Sequence, residues 1–158
     1  MSAAVEYRSD TASEADIAEH LLRCNTDFVP PLSDRVDIRA YAKKIARSAT
    51  RFEAWSRGTL VGLVAAYCND REGKIAYITS FSVLGEAMGQ GVGTRLMGHC
   101  VEHAGALGMR RINLEVGGAN APAIGLYEKT GFRASAVNGS FVSMNLYLDS
   151  GDEHEQQA

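Results

Sequence analysis

A strand, a glycine-rich turn and a helix follow one another within residues 75–107. The turn holds three alternating glycines, Gly89, Gly91 and Gly93, where the helical pattern begins at Val92. Glycine lets the backbone adopt positive φ and approach a ligand closely, and the free N–H groups and dipole of a helix start favour an anion. The segment therefore predicts a pyrophosphate-binding turn, with a simple glycine-rich corner as the alternative.

Two known phosphate motifs do not fit this turn. The chain lacks the G-x-x-x-x-G-K-[ST] of a P-loop. A dinucleotide fingerprint, G-x-G-x-x-G, would end on Thr94 if it began at Gly89, and on Leu96 if it began at Gly91. Glu115 nevertheless ends the next strand about where a ribose-binding acid would stand, so a dinucleotide-dependent oxidoreductase stays open as an alternative.

Bulk properties limit the class of protein. The 158 residues (17.0 kDa) suit one compact domain. The net charge of -3, without a long basic run, argues against nucleic acid as the main ligand. Cys24, Cys68 and Cys100 are odd in number and lack C-x-x-C spacing, which favours buried thiols in a reducing compartment. With no signal core or membrane-length apolar run, we expect a cytoplasmic protein without a membrane partner.

The periodicity predicts an α/β protein with one mixed sheet, in the order β-α-α-β-β-β-α-β-α-β-β. A first helix begins after a cap at Thr11 or Ser13, and a second spans residues 37–48. The apolar faces of these two helices are predicted to contain Ile17, Leu21, Leu22 and Cys24 in the first, and Ile38, Tyr41, Ala42 and Ile45 in the second. We assign residues 1–148 to one domain and 149–158 to a polar tail.

A second motif, L-E-V-G-G-A-N-A-P-A-I-G-L-Y-E-K-T-G-F, spans residues 114–132. Together with M-G-Q-G-V-G before it, this motif resembles the GNAT superfamily of acyl-coenzyme A dependent N-acyltransferases. Six residues stand at the spacing of that family: Asn120, Ala123, Leu126, Tyr127, Gly131 and Phe132. The resemblance implies a single-domain GNAT-like fold, acetyl-CoA as co-substrate, a primary amine as acceptor, and a monomer or homodimer.

The resemblance also assigns the contacts with coenzyme A. The pantetheine arm is expected along the strand edge and at the second motif, at Phe81, Ser82, Val83, Asn120, Ala123 and Tyr127. The pyrophosphate is expected on Met88, Gly89, Gln90, Gly91, Val92, Gly93 and Thr94. Met88 departs from the family, which usually has arginine or glutamine there. Because the main-chain amides remain, we expect weaker binding of acetyl-CoA rather than none.

Acyl transfer to an amine needs a neutral nucleophile, a polarised carbonyl and a proton for the leaving sulfur. The resemblance gives Tyr127 the role of proton donor and a free amide near Val83 that of oxyanion donor. Glu115 is the candidate base, because it lies on the strand face opposite the apolar residues. In the ribosomal-protein acetyltransferase branch, a similar glutamate twelve residues before the tyrosine acts as base. A hydrogen-bonded structural carboxylate and a packing tyrosine are the alternatives.

The acceptor pocket implied by the resemblance lies between the first two helices and the facing strands. It points to Phe28, Pro30, Tyr67, Asn69 and Tyr77. Aromatic residues there suit a sugar or small amine, but they are equally natural in a core. An amino sugar, an amino acid, a polyamine and a protein N-terminus all remain possible acceptors, and a non-catalytic acyl-CoA-binding module remains an alternative.

His99 and His103 have the i, i+4 spacing of a metal-binding pair. On the predicted helix they fall with Arg95 and Glu102, opposite the apolar stripe. We therefore predict a solvated face there and no metal.

Overall fold

The computed structural model describes residues 4–148, so the predicted tail at 149–158 lies outside the described residues. Its strands are β1 (Glu6–Ser9), β2 (Thr50–Ser56), β3 (Thr59–Tyr67), β4 (Ile75–Val83), β5 (Arg111–Gly117), β6 (Arg133–Asn138) and β7 (Phe141–Tyr147). Its α-helices are α1 (Glu14–Cys24), α2 (Ile38–Ser48), α3 (Val92–Ala106) and α4 (Ala121–Thr130). The predicted order of elements is confirmed. Three short 3₁₀ helices, Asn25–Asp27, Leu32–Asp34 and Gly85–Ala87, were not predicted.

All seven strands form one mixed sheet in the order β1-β2-β3-β4-β5-β7-β6. Neighbouring strands are antiparallel except for β4 and β5, which pair in parallel. This parallel pairing follows from the crossover through α3, because a connection of that length returns the chain to the same end of the sheet. The sheet is therefore mixed as expected, with its one parallel pair at the centre.

The two faces of the sheet carry separate hydrophobic cores. Consecutive residues of β3 point to opposite faces, so Leu63 belongs to one core and Val64 to the other. The core that contains Leu63 is completed by α1 and α2, while α3 and Tyr127 of α4 complete the core that contains Val64. The sheet is thus covered by helices on both sides, as in other layered α/β folds.

The first helix is positioned by a buried carboxylate. Ser13 is the N-cap of α1, and it forms a capping box with Asp16. Just before it, Glu53 of β2 is fully buried and accepts hydrogen bonds from the amides of Thr11 (3.0 Å) and Ala12 (2.9 Å). Because these bonds satisfy the buried charge, they fix the start of α1 against the sheet.

Two predictions about helix faces are wrong. Leu22 is 47% exposed, whereas His20 occupies the buried face of α1 together with Ile17 and Leu21. His99 and His103 are half-buried rather than solvated, because their rings pack edge-on against neighbouring aromatic rings of the sheet. Their partners are Tyr7 for His99 and Phe52 for His103.

Candidate functional site

Strands β4 and β5 diverge at the centre of the sheet. Their parallel pairing ends at Ile78 and Leu114, and the register with β3 shifts at Thr79, which is an extra residue in β4. The remainder of each strand continues without the other, so a wedge opens between them. Ligands in open α/β sheets bind at such a gap beyond the carboxyl ends of parallel strands.

Backbone groups of β4 face into this wedge. The amide of Leu84 donates to the carbonyl of Val61 on β3 at 2.8 Å. Hydrogen-bonded and non-hydrogen-bonded pairs alternate in an antiparallel ladder. The amides of Phe81 and Val83, which lie in non-hydrogen-bonded pairs, therefore point away from β3 and towards the open side. This arrangement offers two donors where the sequence predicted the pantetheine arm and the oxyanion donor.

The phosphate turn, residues 88–94, presents amides at the start of α3. Gly91 is the N-cap in the left-handed region (φ 77°), and the first intrahelical bond runs from Arg95 N to its carbonyl. The amides of Val92, Gly93 and Thr94 thus have no partner within the helix. Gly89 is also left-handed (φ 81°), and a Cβ on either Gly89 or Gly91 would meet no atom within 4 Å. Glycine at these two positions permits the left-handed backbone and leaves space in the turn for a ligand.

A cavity of about 380 Å³ lies between the phosphate turn, β4 and α4, and we call it the turn cavity. Most of the residues predicted to contact coenzyme A line it: Phe81, Ser82, Val83, Met88, Gly89, Gly91, Val92, Gly93, Thr94, Asn120 and Ala123. Its lining also contains Asp27, Pro122 and Leu126. Gln90 does not line it, since its side chain is exposed and donates to the carbonyl of Glu86.

The second motif builds α4 and fixes its ends. Asn120 is the N-cap, and its side chain accepts from the amide of Ala123 at 3.4 Å. Gly131 ends the helix in the left-handed region (φ 117°), where a residue other than glycine would be strained. Phe132 then enters the core fully buried. The motif therefore holds Tyr127, which lies between these ends, at a defined place beside β4.

A second cavity of about 230 Å³ lies on the other side of the wedge, and we call it the tyrosine cavity because three tyrosines line it. These are Tyr41, Tyr77 and Tyr127. The turn cavity and the tyrosine cavity share four lining residues: Phe28, Phe81, Asn120 and Ala123. The two cavities thus meet at the point where β4 and β5 part.

Tyr127 is 6% exposed and lines the tyrosine cavity. Its ring packs against Phe81 and Phe132, each with centroids 5.8 Å away. Within residues 4–148 its hydroxyl has no hydrogen-bond partner, and burial raises its pKa well above the usual value. The phenol is therefore protonated at neutral pH and available as a donor to a ligand.

Glu115 lies on β5 with its side chain exposed in the tyrosine cavity. Its strand neighbours Ile112, Leu114 and Val116 share the opposite face of β5, as predicted, and belong to the core that contains Val64. Tyr77 lines the same cavity. Burial raises the pKa of its phenol, the charge of Glu115 raises that pKa further, and the charge of Arg35 lowers it. The carboxylate of Glu115 and the guanidinium of Arg35 therefore both act on the phenol of Tyr77.

The structure separates the residues predicted for the acceptor. Phe28 and Tyr77 line the tyrosine cavity. Pro30 lies half-buried in the adjoining loop, outside both cavities, although its neighbour Val29 does line the tyrosine cavity. Tyr67 packs against the core under α1 and α2. Asn69 and Cys68 line another surface depression, which shares no lining residue with the tyrosine cavity.

Sequence reasoning did not identify Arg35, Tyr41 or Thr79 as site residues. Tyr41 donates to the carbonyl of Thr79, the extra residue of β4, and so links α2 to the point of divergence. The only sequence signal for Tyr41 was its position on the apolar stripe of α2, which does not distinguish core from site. Arg35 follows a 3₁₀ turn and carries no local signal at all.

Ser82 is bonded to a buried histidine. The Nδ1 atom of His20 lies 2.9 Å from the carbonyl of Leu60, which can only accept, so Nδ1 carries the proton. Its Nε2 atom then accepts from the Ser82 hydroxyl at 2.8 Å. Burial lowers the pKa of His20 to about 4, so the ring is neutral near pH 7. The bond anchors β4 to α1 beside the turn cavity.

Among residues 4–148, no group of three or more His, Cys, Asp or Glu side chains is arranged to hold a metal ion. Over the same residues, no helix combines the length and the apolar character needed to cross a membrane.

Comparison with known proteins decides the family. The family model of the acetyltransferase (GNAT) family matches residues 15–132, a span that includes the phosphate turn and the second motif. This chain belongs to the GNAT family. The members of this family are acetyltransferases, which use acetyl-CoA and act on an amine acceptor. The turn cavity fits acetyl-CoA, because unpaired helix-start amides and open glycines suit a pyrophosphate and the free amides of β4 suit a pantetheine arm.

A named relative agrees with this family. A Bacillus subtilis (strain 168) protein, named as a candidate [ribosomal protein bS18]-alanine N-acetyltransferase, is 35% identical over 78 residues. That match covers 49% of this chain and 48% of the relative, so the similarity spans about half of each.

Solved GNAT structures share the fold. The ribosomal-protein-S18-alanine N-acetyltransferase from Escherichia coli has a TM-score of 0.73 at 18% identity, covering 94% of this chain and 96% of that one. A candidate acetyltransferase from Salmonella typhimurium, solved with acetyl-CoA, has a TM-score of 0.72 at 20% identity, covering 93% and 95%. At these identities the likeness concerns the fold alone.

Proposed function

We propose that this GNAT enzyme transfers an acetyl group from acetyl-CoA directly to a primary amine within a ternary complex, with Glu115 as base and Tyr127 as acid. The observation that carries the proposal is the meeting of the two cavities at Phe28, Phe81, Asn120 and Ala123. A donor in one cavity and an acceptor in the other would then react without a covalent enzyme intermediate.

The donor side is assigned to the turn cavity. Acetyl-CoA, when bound, supplies an activated thioester carbonyl. The amides of Val92, Gly93 and Thr94 would bind its pyrophosphate, and those of Phe81 and Val83 would orient the pantetheine arm and the thioester oxygen. Met88 lines the turn cavity, and its uncharged side chain would add no ion pair to these contacts, so we expect weaker binding than with arginine at this position.

The acceptor side is assigned to the tyrosine cavity. Glu115 is the only carboxylate among its lining residues, and it would take a proton from the ammonium form of the acceptor, leaving a neutral amine. As the C–N bond forms and the C–S bond breaks, Tyr127 would donate its phenolic proton to the departing thiolate. The tyrosine would then regain a proton from the nitrogen, which loses one on becoming an amide. The raised pKa of Tyr127 keeps the phenol protonated at neutral pH, so the proton is present when the thiolate departs.

The cavity volume limits the acceptor. At about 230 Å³, the tyrosine cavity is smaller than the roughly 300 to 1,000 Å³ typical of sites for drug-sized ligands. A small amine, or the terminal residue of a longer chain, would fill it. The proposal covers an amino sugar, amino acid, polyamine or protein N-terminus, and the catalytic domain is proposed to comprise residues 1–148.

A thiol-release assay tests the proposal. Purified protein is mixed with acetyl-CoA and each member of a panel of primary amines, and free coenzyme A is measured with a thiol reagent. We expect amine-dependent release and an N-acetylated product by mass spectrometry. Binding of acetyl-CoA by calorimetry without release for any amine would instead favour a non-catalytic binding module. Release without an added amine would indicate a hydrolase.

A further inference from the structure

Arg35 is held at the wall of the tyrosine cavity. It directly follows the 3₁₀ helix Leu32–Asp34, and its guanidinium carbon lies 4.4 Å from the ring centroid of Phe141 on β7. A cation stacked on an aromatic face in this way is attracted by the ring and restricted in orientation. The ring therefore restricts the orientation of the guanidinium without using any of its N–H donors.

The loop that carries Arg35 is itself fixed. The amide of Ser33 donates to Oδ1 of Asn25 at 2.7 Å, and Nδ2 of Asn25 donates to the Ser33 hydroxyl at 3.0 Å. The amide of Arg35 donates to the carbonyl of Leu32 at 2.9 Å. The backbone under the guanidinium is thus ordered before any ligand binds, which lowers the entropy lost on binding.

The N–H donors of this guanidinium have no partner in the described part of the chain. Across residues 4–148, its side chain makes neither a hydrogen bond nor an ion pair within 4.0 Å. Arg35 and Glu115 are the two charged residues among those that line the tyrosine cavity. Both also act on the phenol of Tyr77, which places opposite charges around one volume.

We infer that the acceptor is a primary amine that also carries a carboxylate, with the amine at Glu115 and the carboxylate on Arg35. This inference rests on the proposed function and names its class of acceptor. Guanidinium and carboxylate groups match in shape and form paired hydrogen bonds, whereas a polyamine or an amino sugar would bring a further cation or no anion to Arg35. A small amino acid with a free carboxylate also fits the cavity volume of about 230 Å³.

The test compares acceptors that differ only in the carboxylate. Free α-amino acids are compared with their amides, and a series of straight-chain ω-amino acids is compared with n-alkylamines of the same length, all by thiol release. We expect the carboxylate-bearing member of at least one pair to have a kcat/KM about 10 to 100 times higher, with most of the difference in KM.

Variants connect that preference to Arg35. Arg35→Gln is expected to remove the preference by raising KM for the carboxylate-bearing acceptor, with kcat and acetyl-CoA affinity nearly unchanged. Arg35→Glu is expected to shift the preference towards diamines. Arg39→Gln is the matched control, because Arg39 is exposed on α2 and lies outside the cavity. It makes the same change in charge and should leave the preference intact.

The outcomes separate this inference from the proposed function. Turnover of uncharged amines in preference to their carboxylate-bearing partners would overturn the inference and leave the acetyltransferase activity standing. The same holds if Arg35→Gln lowers kcat/KM equally for both members of each pair, or if only a peptide N-terminus without a nearby acidic group is acetylated. A panel with no turnover at all would overturn both.

Discussion

The carbonyl oxygen of Val29 lies 1.9 Å from the point that a Cβ atom would occupy on Gly117. The end of β5 and the loop after α1 therefore approach more closely than any residue other than glycine at position 117 would allow. This approach closes the tyrosine cavity at the side where both Val29 and Gly117 line it.

Gly117→Ala is expected to push the Val29 loop outwards, because backbone cannot yield as a flexible side chain does. We expect the free energy of unfolding to fall by about 1 to 3 kcal/mol and KM for the amine to rise more than the Kd of acetyl-CoA. Chemical denaturation and calorimetry measure the two effects. Gly118→Ala is the control, since its nearest atom would be 3.4 Å away. Equal losses for both substrates would contradict this account.

Glu115→Gln removes the proposed base while keeping the shape of the side chain. We expect kcat to fall about 10²- to 10⁴-fold, with acetyl-CoA binding unchanged, because the amine must lose its proton before attack. Steady-state kinetics and calorimetry provide the readouts. Glu128→Gln, at an exposed position on α4, should retain activity. A normal kcat at every pH would exclude Glu115 from the mechanism.

Tyr127→Phe keeps the ring contacts with Phe81 and Phe132 and removes only the hydroxyl. We therefore expect nearly unchanged stability and a kcat reduced about 10²- to 10⁴-fold, since the leaving thiolate loses its proton donor. A poorer leaving group in the acyl donor should suffer the larger loss. Tyr147→Phe, on the 68% exposed tyrosine of β7, serves as the control. Full activity of Tyr127→Phe would remove the phenol from the mechanism.

Gly91→Ala tests the phosphate turn. The left-handed backbone at φ 77° would cost an alanine about 1 to 2 kcal/mol, so we expect lower stability and weaker binding of acetyl-CoA. Gly98→Ala, in the middle of α3, is the control, and we expect it to raise stability rather than lower it. Its Cβ would meet nothing within 4 Å, and alanine in a helix interior should stabilise by about 1 kcal/mol. If Gly91→Ala bound acetyl-CoA with unaltered affinity, the left-handed backbone at residue 91 would not be needed for binding.

His20 predicts a pH dependence of stability. Its pKa is about 4 in the folded protein, against the ordinary histidine value of 6.5 in the unfolded chain, so the unfolded state binds more protons between these limits. Stability should therefore fall as pH drops from 6.5 to 4, by up to about 3 kcal/mol from this group. His20→Gln should be less stable at pH 8, and its difference from the unsubstituted protein should narrow in that window. Urea titrations at several pH values would show a constant difference if His20 did not contribute.

The fold could be predicted largely because its signals are local. The cap at Ser13, the glycines of the phosphate turn and the Gly131 that ends α4 each act within a few residues of the chain, so the sequence shows where elements begin and end. The residues of the second motif likewise sit close together on one helix. The confirmed order of elements depends on these features.

The errors and omissions have a different origin. Leu21 and Leu22 are identical in type and adjacent, and only the packing of the helix decides which is buried. The bond between His20 and Ser82 joins residues 62 positions apart, and the place of Arg35 depends on a ring in β7. Such contacts exist only after the sheet has formed. The roles of Glu115 and Tyr127 stay predictions until the variants are measured.

The division of the protein into two separate cores has a consequence for the choice of acceptor. The residues that we propose for acetyl-CoA lie mainly on β4 and in the layer of α3 and α4, whereas the tyrosine cavity also takes residues from the loop and helix on the α1 and α2 side. If these assignments hold, substitutions on the latter side should alter what is acetylated without disturbing how the acetyl group is delivered. On this proposal, the acceptor can be exchanged while the delivery of the acetyl group is kept.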